Sequence, residues 1–169
     1  MGKTFEKYIL RALFLFGIAS FINLVRKPPV KDWLLIFFLK GYMSSILDKV
    51  LVREGYITYP TKFFKKFDVS IIFDYVLFPI SCVYFNQVTE KSRLTDIFIK
   101  LFYFSVPMAL GEAWLEMNTQ VIKYKKGWTP LKSFISLSLT FLVVRGVMYL
   151  IRRLDMKQQQ SSQKNNYTK

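Results

Sequence analysis

The sequence contains no histidine and a single cysteine, Cys82, among its 169 residues. A disulfide scaffold needs two cysteines, and histidine is a frequent zinc ligand and general base, so these classes of site are excluded. Walker, glycine-rich phosphate-binding and Gly-x-Ser-x-Gly motifs are missing as well. The sequence therefore predicts no cofactor and no metal site, and it favours a protein that is not an enzyme.

Acidic residues are scarce too, because 11 Asp and Glu stand against 25 Lys and Arg, for a net charge of +14. Such an excess is typical of nucleic-acid-binding proteins, of proteins that bind anionic lipid, and of the loops of membrane proteins. Most of the excess basic residues flank long apolar stretches and form no separate basic surface. This arrangement favours a membrane protein with lipid as a partner over a protein that binds nucleic acid.

Hydrophobic residues make up 52% of the chain and are concentrated in long stretches. A helix needs about 20 residues to cross a bilayer, and five stretches approach that length: about 8–25, 33–52, 69–85, 94–116 and 131–151. Five such helices exceed the core of a soluble domain of this size. We predict an all-α fold, a polytopic transmembrane bundle of five spans in one membrane domain, residues 1–153. The polar stretch 154–169 is predicted to be a disordered tail.

The ends of the spans carry signals for helix termini and for orientation. Asp32 is a good N-cap residue before the second span, and Thr129-Pro130 places proline at the first position of the fifth. Basic residues outside the spans divide evenly between the two sides of the membrane. Arg152 and Arg153, directly after the fifth span, favour a cytoplasmic carboxyl terminus of a multi-pass plasma-membrane protein.

Aromatic and lysine residues mark the expected membrane interface. Trp33 and Trp128 lie at span ends, where the amphipathic indole ring prefers the headgroup region. The segment 53–67 alternates aromatic and basic residues, which is typical of a chain that lies on anionic headgroups. It is either a loop resting on the bilayer or a site of specific lipid recognition. Its central residues are Phe63, Phe64, Lys65 and Lys66.

Ionisable residues inside spans are costly, so each needs a partner or a purpose. In the second span, Lys40, Ser44 and Asp48 are spaced four apart and share one helix face. Their side chains are expected to point into the bundle. They form the secondary polar face of the predicted site.

The main polar cluster is predicted from the third, fourth and fifth spans. Asp74 precedes Pro79, which removes a backbone donor and kinks the helix, so this carboxylate lies beside either a polar pocket or a kink bonded by a neighbouring helix. Glu112 and Glu116 are one turn apart, and Arg145 is the expected counterion. The cluster is either a Glu112–Arg145 ion pair that holds the bundle together, a proton- or cation-binding site, or a catalytic carboxylate pair.

The order of these motifs resembles a family of small multi-span integral membrane proteins, without an assigned activity, from spore-forming Gram-positive bacteria. The resemblance rests on Asp74-Tyr-Val-Leu-Phe-Pro79, Tyr84-Phe-Asn86-Gln87 and Pro107 to Glu112-x-x-x-Glu116, and it continues through Ile122-Lys-Tyr124, Gly127-Trp128 and Arg145. It covers about Trp33 to Arg153 and implies a plasma-membrane location.

Three functions are consistent with this sequence. The first is a non-enzymatic membrane component with the buried cluster of Asp74, Glu112, Glu116 and Arg145, acting through lipid, a protein partner or a homo-oligomer. The second is a small proton- or cation-coupled carrier that uses Glu112 and Glu116. The third is a membrane-embedded lipid-modifying enzyme.

Overall fold

The computed structural model of the chain describes residues 3–61 and 70–167. Over these residues the fold is all-α, as predicted. The helices are α1 (Lys3–Val25), α2 (Val30–Arg53), a π-helical segment (Phe73–Leu77), α3 (Phe78–Thr89), α4 (Leu94–Asn118) and α5 (Pro130–Tyr167). Two short strands, β1 (Ile57–Thr58) and β2 (Lys123–Tyr124), pair antiparallel, with Ile57 opposite Tyr124.

Three helices are long and apolar enough to cross a membrane: Thr4–Val25, Leu94–Asn118 and Pro130–Ser161. Length and composition therefore support three of the five predicted spans and indicate a multi-pass membrane protein. The other two predicted spans do not meet these criteria, for physical reasons. Helix α2 has 24 residues but carries charge along its length, and α3 has only 12 residues after the π-helical segment.

The π-helical segment explains how the proline of the third predicted span is accommodated. Pro79 has no N–H, and its ring would collide with the carbonyl of Tyr75 in a regular α-helix. The turn before Pro79 is widened instead, and Phe78 N–H donates to Phe73 O, five residues back. Wide turns of this kind are frequent at functional sites. Here the wide turn carries Asp74.

Helix α2 lies at the centre of the bundle and packs against α1, the π-helical segment, α3 and α5, while α4 packs mainly on α5. Glycine allows the closest approaches, because it has no Cβ. A Cβ at Gly17 of α1 would collide with the Val76 side chain, and one at Gly41 of α2 would lie 3.5 Å from Pro79 Cγ. Both glycines thus bring helices against the π-helical turn and the start of α3.

One end of the bundle is closed by two connecting segments, residues 54–61 and 119–129, which we call the cap. Strands β1 and β2 join the segments, and Thr61 N–H donates to Gln120 O at 2.8 Å. The start of α1 contacts both segments of the cap through the Glu6 side chain, which is 1% exposed. Its carboxylate accepts from Thr61 Oγ1 at 2.6 Å and from Gln120 N–H at 2.8 Å.

The opposite end joins the start of α2, the end of α3 and the later part of α5. Arg152 Nε donates to Asp32 at 2.6 Å, and its Nη1 lies 3.2 Å from Glu90 Oε1. Asp32, predicted to cap α2, instead lies within its first turn, since the helix already starts at Val30 after Pro29. Between the ends, Phe85 and Phe141 stack at 5.5 Å, both 0% exposed.

Helix α5 continues to Tyr167, so the structure places a helix where a disordered tail was predicted for 154–169. The physical reason is that residues 154–167 contain no proline or glycine, while Gln and Lys are good helix formers. Side chains from Leu154 to Ser161 are exposed and make no core.

Candidate functional site

A polar cavity of about 60 Å³ lies inside the bundle beneath the cap. Residues of α2, the π-helical segment, α3, α4, α5 and the cap line it. At roughly 10–15 Å³ per water, it has room for about four to six water molecules. The polar side chains around it are Lys40, Ser44, Asp48, Tyr59, Asp74, Glu112, Ser133, Ser136 and Thr140.

Lys40 lies at the inner end of the cavity and is 1% exposed. Its Nζ donates to Ser44 Oγ at 2.9 Å and to Thr140 Oγ1 at 2.8 Å. The same ammonium group lies over the rings of Phe78 and Phe141, 5.6 and 5.5 Å from their centroids. Two hydroxyl oxygens and two ring faces thus stabilise the charge of Lys40 away from water.

Asp48 and Asp74 bring two carboxyl groups to the middle of the cavity. Asp48 accepts from the Tyr59 hydroxyl at 2.6 Å and from Ser70 N–H at 3.4 Å. The Asp48 and Asp74 side chains are within hydrogen-bonding reach of each other, but two ionised carboxylates have no proton to share. With both ionised, Asp74 Oδ2 is buried without a donor among the residues that the structure describes.

Glu112 contributes the third carboxyl group, from α4. Its Oε1 accepts from the Tyr124 hydroxyl and from Ser133 Oγ, both at 3.0 Å. Trp128 Nε1–H donates to the same Ser133 Oγ at 2.8 Å. This network connects α4, the first turn of α5 and the cap around a single carboxylate.

The cap therefore contacts two of the cavity acids through tyrosine hydroxyls. Burial, and then the charge of Asp48, raise the pKa of the Tyr59 phenol well above its ordinary value. Burial, and then the charge of Glu112, raise the pKa of the Tyr124 phenol in the same direction. Both phenols consequently stay protonated as donors to the acids beneath them.

The structure brings together Asp74 and Glu112 from the predicted main cluster and all three residues of the secondary face. It leaves Glu116 and Arg145 outside the cavity lining. The predicted Glu112–Arg145 pair is not formed. Arg145 is twelve residues after Ser133, which contacts Glu112, and this spacing along α5 corresponds to about 18 Å.

Arg145 instead binds the end of α3. Its Nη1 donates to Thr89 Oγ1 and its Nη2 to Thr89 O, both at 2.6 Å. Glu116 is partly buried, and its backbone carbonyl accepts from Lys123 Nζ. Arg145 therefore binds α3 in place of Glu112, and Glu116 takes no part in the cavity lining.

The predicted interface residues are placed differently. Trp33, expected at the membrane surface, is 2% exposed inside the bundle, with the Arg152 guanidinium 5.5 Å from its ring centroid. Its place in the first turn of α2 turns it toward the core. Trp128 is partly buried in the cap beside Tyr56. Phe63, Phe64, Lys65 and Lys66 lie outside the described residues.

Several residues of the site were not predicted from the sequence. Ser133, Ser136 and Thr140 are spaced three and four apart on α5, so they form a polar stripe on one helix face. A polar stripe of this kind in an apolar span could have predicted these three residues from the sequence. Tyr59 and Tyr124 carried no such signal, because their pairing with Asp48 and Glu112 depends on how the two connecting segments fold back over the bundle.

The cavity acids do not converge as ligands of a metal ion: within residues 3–61 and 70–167, no group of three or more Asp, Glu or Cys side chains is suitably placed. Comparisons with known protein families, with curated proteins and with solved structures gave no significant match.

Proposed function

We propose that the chain crosses the plasma membrane five times, with α2 and the π-helical segment with α3 as spans beside the three long apolar helices. The orientation of the charged side chains on α2 supports this proposal. Lys40 and Asp48 are directed into the cavity, whereas Phe38 and Tyr42 are about two-thirds exposed, at 65% and 67%. A membrane tolerates ionisable side chains that face the inside of a bundle.

For the function we propose a non-enzymatic, proton-coupled membrane component, in which the cavity carboxyl groups take up and release protons. The observation that carries this proposal is the charge balance of the cavity. Among the described residues, Asp48, Asp74 and Glu112 surround a small volume whose lining has one ammonium group, that of Lys40. With all four ionised, these described groups carry a net charge of −2 inside the bundle. Uptake of a proton or a cation relieves that imbalance.

The direct test is an infrared titration of the purified protein in lipid nanodiscs, following the carbonyl stretch of protonated carboxyl groups from acidic to alkaline pH. We expect a titrating band that loses intensity in Asp74→Asn and in Glu112→Gln. Glu116→Gln is the matched control on the same helix, outside the cavity, and should titrate like the parent apart from its own contribution. A band that is insensitive to pH, or equal in all three variants, would overturn the proposal.

A second candidate is a component whose acids only stabilise the bundle, while lipid, a protein partner or a second copy contacts its exposed faces. The hydrogen bonds to Asp48 and Glu112 favour it, because each carboxylate already has two donors. It predicts no titrating band and a large loss of stability when either acid is neutralised. A lipid-modifying enzyme would in addition show metal-dependent turnover. The cytoplasmic carboxyl terminus stays a proposal and would place the cap outside the cell.

A further inference from the structure

The inner end of the cavity already holds an alkylammonium group. Lys40 Nζ is fixed by the hydroxyls of Ser44 and Thr140 and by the faces of two phenylalanine rings. Aromatic faces combined with oxygen acceptors are the chemistry by which proteins bind organic cations. The chain's own lysine thus shows how this wall contacts an ammonium group.

The rest of the cavity also combines oxygen atoms with aromatic rings, and the described residues that line it contain no ammonium group besides Lys40. Asp74 is 2% exposed, and its Oδ2 has no donor among the described residues. Phe73, Tyr59 and Trp128 line the same space. A second ammonium group would therefore meet a carboxylate oxygen that needs a donor, beside aromatic rings.

We propose that this part of the cavity binds a compact organic ammonium ion, with its N–H donating to Asp74 Oδ2 and its alkyl group against the rings. The inference rests on the cavity named in the proposed function and adds its ligand class. One bound cation lowers the net negative charge of the described lining groups from two to one, so ammonium and proton compete for the same carboxyl groups. Binding of the cation thereby releases a proton wherever the carboxyl was protonated.

The size of the cavity and the chemistry of its lining restrict the class of ligand further. A volume of about 60 Å³ suits a compact ion of the size of methylammonium. A bare alkali or divalent cation is less suited, since it replaces its water shell with several oxygen ligands. The described part of the chain offers no group of three acidic side chains to supply them.

The test measures equilibrium binding of radiolabelled methylammonium to the purified, folded protein, with sodium chloride at equal ionic strength as the competitor. We expect saturable binding that excess sodium does not displace. Asp74→Asn should weaken binding at least tenfold. Phe73→Leu, which keeps an apolar side chain but removes the ring, should weaken it about fivefold. Glu116→Gln, outside the cavity, should bind like the parent.

Equal displacement by sodium, or unchanged binding in Asp74→Asn, would overturn the inference. Where Asp74→Asn does not fold, Phe73→Leu with Phe98→Leu as an exposed control gives the same comparison. The infrared titration separates the two proposals. If the carboxyl band titrates and methylammonium does not bind, the ligand assignment alone is wrong. If neither occurs, the proton-coupled function is wrong as well.

Discussion

The two halves of the bundle handle charged residues in opposite ways. At the end away from the cap, Arg145 binds Thr89, and Arg152 bridges Asp32 and Glu90. In the half under the cap, the described lining of the cavity contains three acids and one lysine. The two arginines of the first half thus have direct hydrogen-bond or ion-pair partners, whereas in the second half the described acids outnumber the lysine. An intramembrane ionisable residue therefore indicates a functional site most strongly where its pairing is incomplete.

The boundary between the halves is apolar and closely packed. Phe85 stacks on Phe141, and Cys82, Val83 and Val144 beside them are 0% exposed. Lys40 lies directly on the cavity side of this layer, over the Phe141 ring. The cavity therefore ends at a packed layer of aromatic and aliphatic side chains.

Removing that layer should have the largest effect. Phe85→Ala deletes a fully buried ring, and we expect a loss of about 3–5 kcal/mol in the free energy of unfolding, measured in detergent. Phe98→Ala is the control, because Phe98 is 52% exposed on α4. It should cost less than about 1 kcal/mol. Equal losses for the two variants would contradict the assignment of Phe85 to a packed boundary.

The second-largest loss of stability is expected for the Arg145 contact, in the half away from the cap. Arg145→Met removes two donors from the end of α3, and we expect a loss of about 2 kcal/mol. A double-mutant cycle with Thr89→Val isolates the contact to the hydroxyl, and its coupling energy should be about 1 kcal/mol. Glu112→Gln, which is far from Arg145 in the structure, should combine additively with Arg145→Met. A coupling between Glu112 and Arg145 would instead restore the ion pair predicted from the sequence.

In the cap half, Tyr59→Phe removes the hydroxyl that donates to Asp48, at 2.6 Å. We expect a loss of about 1.5 kcal/mol near neutral pH, since hydrogen bonds to charged acceptors are stronger than neutral ones. Tyr124→Phe should cost somewhat less, because Glu112 keeps Ser133 as a donor. Tyr103→Phe on α4, where Tyr103 is 75% exposed, should change the thermal midpoint very little.

The same two tyrosines predict how stability depends on alkaline pH. Their pKa values are raised in the folded chain by burial and by the acids beneath them. The unfolded phenols lose their protons near pH 10, while the folded ones keep them, so the unfolded state binds fewer protons there. Stability is then fully present below about pH 10 and falls as pH rises above it, by up to about 1.4 kcal/mol per pH unit for Tyr59 and by less for Tyr124, whose phenol is more open to solvent.

The double variant Tyr59→Phe/Tyr124→Phe should lose much of this dependence, and Tyr103→Phe should retain it. Unfolding in denaturant at a series of alkaline pH values provides the measurement. A slope that is the same in the double variant and in the parent would show that these phenols are not held by the acids.

Local sequence signals predicted the positions of the helices well, but they predicted the partners of the polar side chains poorly. The start of α5 at Pro130 and the end of α1 before Pro28-Pro29 follow from proline and hydrophobic periodicity, which act within one segment. The Glu112–Arg145 pair was wrong because a partner on another helix depends on relative depth, which composition does not encode. Lys40, Ser44 and Asp48 were predicted to face inward because they share one helix face. Their grouping with Glu112 required the packed bundle.

The smallest expected effect on stability is the difference between Glu112 and Glu116, which were predicted to belong to one cluster. Glu112→Gln keeps an oxygen that accepts from Tyr124 and Ser133 but removes the charge, so we expect a loss of about 1 kcal/mol or less. Glu116→Gln, outside the cavity lining, should stay within about 0.5 kcal/mol of the parent. Thermal unfolding in lipid nanodiscs can compare them directly. A large loss for Glu112→Gln would mean that the charge holds the bundle together and would favour the structural candidate. A gain in stability would mean that the charge is kept at a cost to folding, which is what a site for protons or ammonium ions requires.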